Sequence, residues 1–414
     1  MPEPATPAPR LTSIDLLRGI VMVIMMLDHT RDFVHNAALQ FDPTDPTRTN
    51  VVLYFTRWIT HFCAPVFVFL AGTSAYLQYA RGKGKADLSR FLITRGLWLI
   101  LLEFTVVRAG ALFNFDPTFL GFVQVIWVIG VSMIVLALLI HLPLWVIGLC
   151  GVTMIGLHNL LDKIRVDSWQ GPEHPVPSLL AKLWMLLHQP FEVFPVAGWP
   201  SPVLLVIYPL VPWIGVMAVG YVFGSLYQKD ALSRRKALVL VGIIAITLFL
   251  LVRGMNVYGD PAPWSAQKNF LFTILSFLNT TKYPPSLLFL LMTLGPATLL
   301  LAWFESTTAQ PGANNLSERL QHALVTFGRV PLFFYLLQWP TAHLISLFLH
   351  LTFGKPVQWL FQTPIGWQGA PPGVGFNLGV VYLCWVVGIL LLYPLCKWFA
   401  GLKQRRGDWW LSYL

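Results

Sequence analysis

Residues 10–35 read RLTSIDLLRGIVMVIMMLDHTRDFVH, and this stretch decides the fold. Its centre, Gly19 to Leu27, has no charge. Its two ends carry Asp15, Arg18, Asp28, His29, Arg31, Asp32 and His35. A run of this length spans a bilayer core, which needs roughly 20 residues. Ser13 is placed to cap its start. Ionisable groups in hydrocarbon face a bundle interior or a water cavity. At about 100° per residue, Asp15, Arg18, Met22, Met25 or Met26, and His29 fall on one stripe. Arg18 and His29 lie eleven residues apart, or about 16 Å along the axis. Asp32, one turn beyond His29, is within reach of its ring, and a carboxylate there would fix the tautomer and raise basicity. The plainer reading is an inner Asp15–Arg18 ion pair and a solvated outer cluster of Asp28, Arg31 and Asp32.

The rest of the chain follows the same pattern. Of 414 residues, 56% are hydrophobic, 14% aromatic and only 11% charged. Mean hydropathy is +0.65. A soluble domain averages about 25% charged residues, so a cytosolic enzyme and a disordered chain are excluded. Long apolar runs also argue against an outer-membrane barrel, whose strands alternate. The expected fold is an all-α polytopic transmembrane bundle. Ten spans are read at 14–35, 54–80, 92–113, 119–140, 142–160, 202–227, 236–254, 285–304, 330–352 and 377–399. Phe270 to Leu278 is too short to cross and reads as re-entrant or interfacial. The expected organisation is a disordered cytoplasmic tail (1–12), a transmembrane domain (13–400) and a basic cytoplasmic tail (401–414). The first apolar run is the first span, with no cleavable leader before it.

The net charge of +10 is a topology signal here, without a nucleic-acid pattern. With the N-terminus inside, seventeen Lys and Arg fall on inner segments and ten on outer ones, and Arg108 lies inside a span. This places both termini in the cytoplasm. Cys63, Cys150, Cys384 and Cys396 lie in or near apolar runs without CxxC spacing and read as free buried thiols. His158, His174 and His188 are scattered over an outer loop without ligand spacing, so no metal site is expected. HExxH, GxSxG, Walker and GxGxxG motifs are absent.

Other charged and polar residues sit in apolar runs. Glu103 and Arg108 in the third run are about 140° apart around a helix and do not face each other. They read as interhelix pairing or as lining of a polar cavity. Arg57 and His61 precede Pro65, where a kink is allowed. Gln338 and His343 flank Pro340, whose ring frees a carbonyl that neighbours must satisfy. Lys282 precedes Tyr283-Pro284-Pro285-Ser286.

The string 10–33 resembles the integral-membrane acyltransferases, through Arg18-x10-His29. It resembles the branch holding the lysosomal heparan-α-glucosaminide N-acetyltransferase and its bacterial relatives. Further strings carry the likeness: RWITHFCAPVFVFLAGTS (57–74), YPLVPWIGVMAVGYVFG (208–224), TKYPPSLLFLLMTLGP (281–296) and FGRVPLFFYLLQWPTAHL (327–344). The resemblance implies acyl transfer, most simply of acetyl, from cytosolic acyl-CoA to a hydroxyl or amino group of a sugar or glycoconjugate at the outer face, directly or through an acyl-histidine. It implies no metal cofactor and an integral protein of a bacterial inner membrane. His29 would be the essential histidine, with Asp28 and Asp32 beside it and Arg18 on the donor side. The lysosomal branch places its histidine between spans one and two, a role open here to His35 or His61. Asp15, Glu103, Arg108, Arg57, His61 and Gln338 would line the cavity, with Lys282 and His343 as weaker candidates. The basic loop Arg81 to Arg95 would receive the CoA phosphates or anchor on anionic lipid. The rival readings are a transporter of a small anionic or sugar-like solute, and a non-catalytic lipid- or polymer-binding envelope protein.

Overall fold

The structure is a computed structural model describing residues 11–37, 40–307, 316–363, 371–406 and 408–413. The expected N-terminal tail lies almost wholly outside the described residues. Helices run from α1 (Thr12–Val34), α2 (Val51–Trp58), α3 (Cys63–Ala80), α4 (Lys85–Leu102) and α5 (Arg108–Leu112) to α6 (Val125–Leu139), α7 (Leu144–Leu157), α8 (Leu179–Leu187), α9 (Leu210–Phe223) and α10 (Ala231–Met255). Then follow α11 (Phe270–Leu278), α12 (Leu287–Thr307), α13 (Leu316–Arg329), α14 (Pro331–Thr352) and α15 (Leu378–Arg405). Among the described residues, seven helical segments are long and apolar enough to cross a membrane: 51–80, 144–161, 210–228, 231–255, 287–306, 331–352 and 378–405. α1 has 23 residues but carries the charges named above. α4 and α5 form one run joined by a π-helical segment, Glu103–Val107.

Glycine marks the main helix crossings. Gly19 of α1 lies on the Leu324 carbonyl of α13, and Gly328 of α13 lies on the Asp15 carbonyl of α1. Gly96 and Gly130 meet between α4 and α6, Gly151 and Gly215 between α7 and α9, and Gly242 and Gly295 between α10 and α12. Gly72 and Gly220 bring α3 against α9. A Cβ at any of these would strike the partner helix. Small residues at such points are how helices associate where lipid is as apolar as leucine.

The chain is mainly helical but not all-α. β1 (Phe119–Val123) pairs in parallel with β3 (Val203–Val206), which pairs antiparallel with β2 (Glu192–Pro195). The runs read as spans from 119 and from 202 therefore open as strands, and their helices begin only at Val125 and Leu210. A short apolar run satisfies a buried strand as well as a helix. Pro209, at the N-cap of α9, and Gly121, at φ +153°, mark the breaks.

Other local readings are corrected too. α1 starts from Leu11 without a side-chain cap, and Ser13 instead donates to Glu305 at 2.6 Å. α15 runs from Leu378 to Arg405, longer than the span read at 377–399. Tyr413 packs on Phe91, with its hydroxyl 2.7 Å from Thr94, so the C-terminal segment returns to α4. α11 has nine residues and is held by Tyr54, whose hydroxyl donates to the Leu275 carbonyl. The segment 59–62 between α2 and α3 is a 3-10 turn, just ahead of Pro65.

Candidate active site

Among the described residues two cavities lie at opposite ends of α1, labelled outer and inner after the orientation expected from the sequence. The outer one has a volume of about 860 Å³ and includes Asp28, His29, Arg57, His61, Lys282 and Trp339 in its walls. The inner one, about 490 Å³, includes Arg18, Met22 and Met25. Of the stripe expected from helical periodicity, Arg18, Met22 and Met25 line one cavity and His29 the other, whereas Asp15 is buried and lines neither.

The outer cavity is organised by an ion network. Nη1 of Arg57 donates to both carboxylate oxygens of Asp28 at 2.6 Å. Arg31 donates to Asp28 at 3.0 Å and to Asp32 at 2.6 Å. Asp32 therefore turns to Arg31, and among the described residues it makes no hydrogen bond to His29. The His29 ring lies against Trp339, with centroids 3.8 Å apart, and its Nδ1 has no hydrogen-bond partner. His61 is buried on the same cavity, against Phe289, and its Nδ1 is also without a partner. The Lys282 ammonium reaches the cavity with no ion pair or hydrogen bond among the described residues, 5.2 Å from the Tyr283 ring centre. Burial raises the Tyr283 phenol, but Lys282 and Arg57 outweigh it and bring the group below its ordinary value.

The inner cavity is cationic. Arg18, Lys83, Arg95, Arg329 and Lys403 all contribute to its walls. Arg18 donates to the Leu70 carbonyl at 3.1 Å and to the Ser74 hydroxyl, and lies 3.7 Å from Asp15. Lys83 and Arg95 come from the expected basic loop, whereas Arg81, Lys85 and Arg90 do not line the cavity.

The wall between the cavities is thin. On α1, Met25 faces the inner cavity and His29 the outer, one turn apart. On α14, Tyr335 and Trp339 divide in the same way, and Val125 and Gln124 do so at the start of α6. Buried polar atoms without partners concentrate here: the Tyr335 hydroxyl, both amide atoms of Gln338, Trp339 Nε1 and Glu103 Oε1.

Several expected residues have other work. Glu103 does not pair with Arg108; its Oε2 accepts from the Trp127 amide at the start of α6. Arg108 donates to the carbonyls of Phe119, Asn114 and Asp116 and ties down the turn before β1. His343 is fully buried, 3.0 Å through Nδ1 from the Ala111 carbonyl and stacked on Phe113. His35 ends α1, accepts from the Ala37 amide and does not line the outer cavity. Gln338 lies in the wall and lines neither cavity.

Sequence reasoning missed Gln124, Tyr208, Tyr283 and Trp339 in the outer cavity, and Arg329 and Lys403 in the inner one. Tyr208 and Gln124 follow strands that were read as helix. Arg329 ends α13, whose strongly one-sided apolar pattern is the signal that would have found it.

Residues 10–258 match the family model described as heparan-alpha-glucosaminide N-acetyltransferase, catalytic. The chain belongs to this family. No curated protein matches the chain. Membership in the heparan-alpha-glucosaminide N-acetyltransferase family makes it an acetyltransferase-type membrane protein. The matched region supplies Arg18, Asp28, His29, Arg57 and His61; Lys282, Tyr283, Tyr335 and Trp339 lie beyond it.

Proposed function

We propose that this protein transfers an acetyl group from cytosolic acetyl-CoA to a hydroxyl or amino group of a sugar or glycoconjugate at the outer face of a bacterial inner membrane. The observation that carries this reading is the pair of cavities on α1, cationic inside and mixed in charge outside, separated by one helical turn. The inner cations suit the phosphates of CoA. The thioester arm would run along Met22 and Met25 to the wall at Trp339. His29 would take the acceptor proton as the acceptor oxygen or nitrogen attacks the thioester carbonyl; the CoA thiolate leaves, and the proton passes on to it. Tyr283, Lys282 or the unpartnered donors of the wall would steady the developing oxyanion. Arg57, Asp28 and Asp32 would hold the acceptor site in shape, His61 would be the second histidine facing it, and Asp15 would orient Arg18.

The same reading counts ten spans: the seven long apolar segments, α1, the run Lys85–Leu112, and α6. Both termini would then be cytoplasmic and the α8 region outside, as the Lys/Arg bias requires.

The test is purified protein in lipid nanodiscs with radiolabelled acetyl-CoA and a panel of glycans. Transfer of label, with acetyl-CoA binding weakened in Arg18→Ala, is the expected result. Absence of any acetyl-CoA binding by well-folded protein would refute the assignment and favour a solute pathway.

A further inference from the structure

Outside both cavities, the outer layer brings together three residues that no part of the transfer chemistry uses. His158 opens the 3-10 turn after α7, Asp162 closes it, and His188 follows α8, thirty residues later than His158. Both histidines are almost fully buried. Nδ1 of His158 lies 3.3 Å from Nε2 of His188, and that nitrogen lies 3.7 Å from Asp162 Oδ1. One ligand atom from each residue fits within 4.8 Å of the others.

We propose that His158, Asp162 and His188 form a zinc site. Two imidazoles and one carboxylate are an ordinary zinc donor set. Bonds of about 2.0–2.2 Å to a tetrahedral ion place neighbouring ligand atoms about 3.3–3.6 Å apart; His188 Nε2 meets this spacing to His158 Nδ1 and nearly so to Asp162 Oδ1, and the third pair lies within 4.8 Å. His188 Nε2 also lies 3.0 Å from the His158 carbonyl. Zinc would require the other neutral tautomer, with the proton moved from Nε2 to Nδ1, so the ring's charge does not change. His158 would bind through Nδ1. The fourth position falls to water, with Asp162, half-buried, on the side open to solvent.

The outer shell is in place. Asn159 Nδ2 donates to Asp162 Oδ2 at 2.9 Å and leaves Oδ1 aimed at His188. Trp184 stacks on the His188 ring with centroids 5.5 Å apart.

The site would brace the acceptor cavity. Asn159 Oδ1 accepts from the Leu287 amide, directly after the turn that carries Lys282 and Tyr283. Asp260 holds that turn by accepting from Thr281 and Ser286. An ion joining the ends of α7 and α8 would therefore fix the cavity wall from behind.

The test uses tag-free protein stripped with chelator, reloaded with Zn²⁺ alone and passed through gel filtration. One retained zinc per chain is expected. Co²⁺ in its place should give the strong visible absorption of a tetrahedral site. His188→Ala and Asp162→Asn should each weaken zinc binding by at least about 100-fold, and Asn159→Ala by about 10–100-fold. Asp162→Asn keeps the side-chain shape at a half-buried position, so it decides the matter if His188→Ala does not fold. Monodisperse wild-type protein that retains no zinc, or equal retention by Asp162→Asn, would overturn the proposal and leave a hydrogen-bonded histidine pair only.

Discussion

The ring of His29 on α1 rests against the indole of Trp339 on α14, their centroids 3.8 Å apart and their planes tilted by 40°. Both rings line the outer cavity, one helical turn from Met25 and Tyr335 of the inner one. The contact puts the histidine stated from the Arg18-x10-His29 spacing beside a tryptophan 310 positions away, at the point where a thioester from one side would meet an acceptor from the other.

His29→Ala should give a folded protein that still binds acetyl-CoA and has lost about 10²–10⁴-fold in transfer rate, the usual share of a general base. Alanine is the better helix former, so α1 should survive. His35→Ala should transfer at close to the wild-type rate, because His35 does not line the cavity. Single-turnover transfer, measured after confirming monodispersity and donor binding, separates the variants. A dead His61→Ala with an active His29→Ala would exchange the roles of the two cavity histidines.

The Asp28–Arg57 pair makes a different prediction. Asp28→Leu alone leaves a buried guanidinium without its main partner and should cost about 3–5 kcal/mol of stability. Asp28→Leu with Arg57→Met should recover most of that loss in a thermal unfolding assay, since apolar replacement of a buried pair is often neutral. Transfer should remain impaired in the double variant. If the double variant is as unstable as Asp28→Leu, the pair is not what holds α1 to α2.

On the inner side, Arg329→Ala and Lys83→Ala should each weaken acetyl-CoA binding by about 10–100-fold, the size of one charged hydrogen bond. Turnover at saturating donor should change little, because neither group lines the outer cavity. Arg18→Ala should weaken binding as well and also loosen α1 from α3, whose Leu70 carbonyl and Ser74 hydroxyl it holds. Donor titrations by filter binding check all three. Wild-type affinity in each would remove the inner cavity from the donor site.

Orientation can be read directly. Glu173, exposed in the loop between α7 and α8, replaced by cysteine in a background lacking the four native cysteines, should react with an impermeant thiol reagent in intact cells. Labelling only after lysis would invert the topology.

Gly328→Ala should destabilise the bundle by about 1–3 kcal/mol, because the new methyl would strike the Asp15 carbonyl and the backbone there has no room to shift without moving α1. A melting temperature equal to wild type would mean that α13 is free to move away.

Helical character and the shared face of Arg18, Met22, Met25 and His29 were determined by the sequence alone. Both follow from local terms: an apolar run long enough to leave water, and a period of 3.6 residues that returns every eleventh side chain to one stripe. The family likeness was legible for the same reason, since its motifs are contiguous strings. Tertiary structure decided whatever depends on partners distant in the chain. The apolar runs at 119 and 203 became strands because they found each other and β2. Arg108 went to the carbonyls before β1, and Asp32 went to Arg31 rather than to His29, the partner its spacing suggests, because a buried charge takes the nearest satisfied geometry. His158 and His188, thirty residues apart without ligand spacing, met only because α7 and α8 end side by side. Trp339 reached His29 only because α14 packs against α1 and Gly110 lets α5 lie close on Pro340. Periodicity describes one helix at a time; a site built where several helices meet is set by their packing.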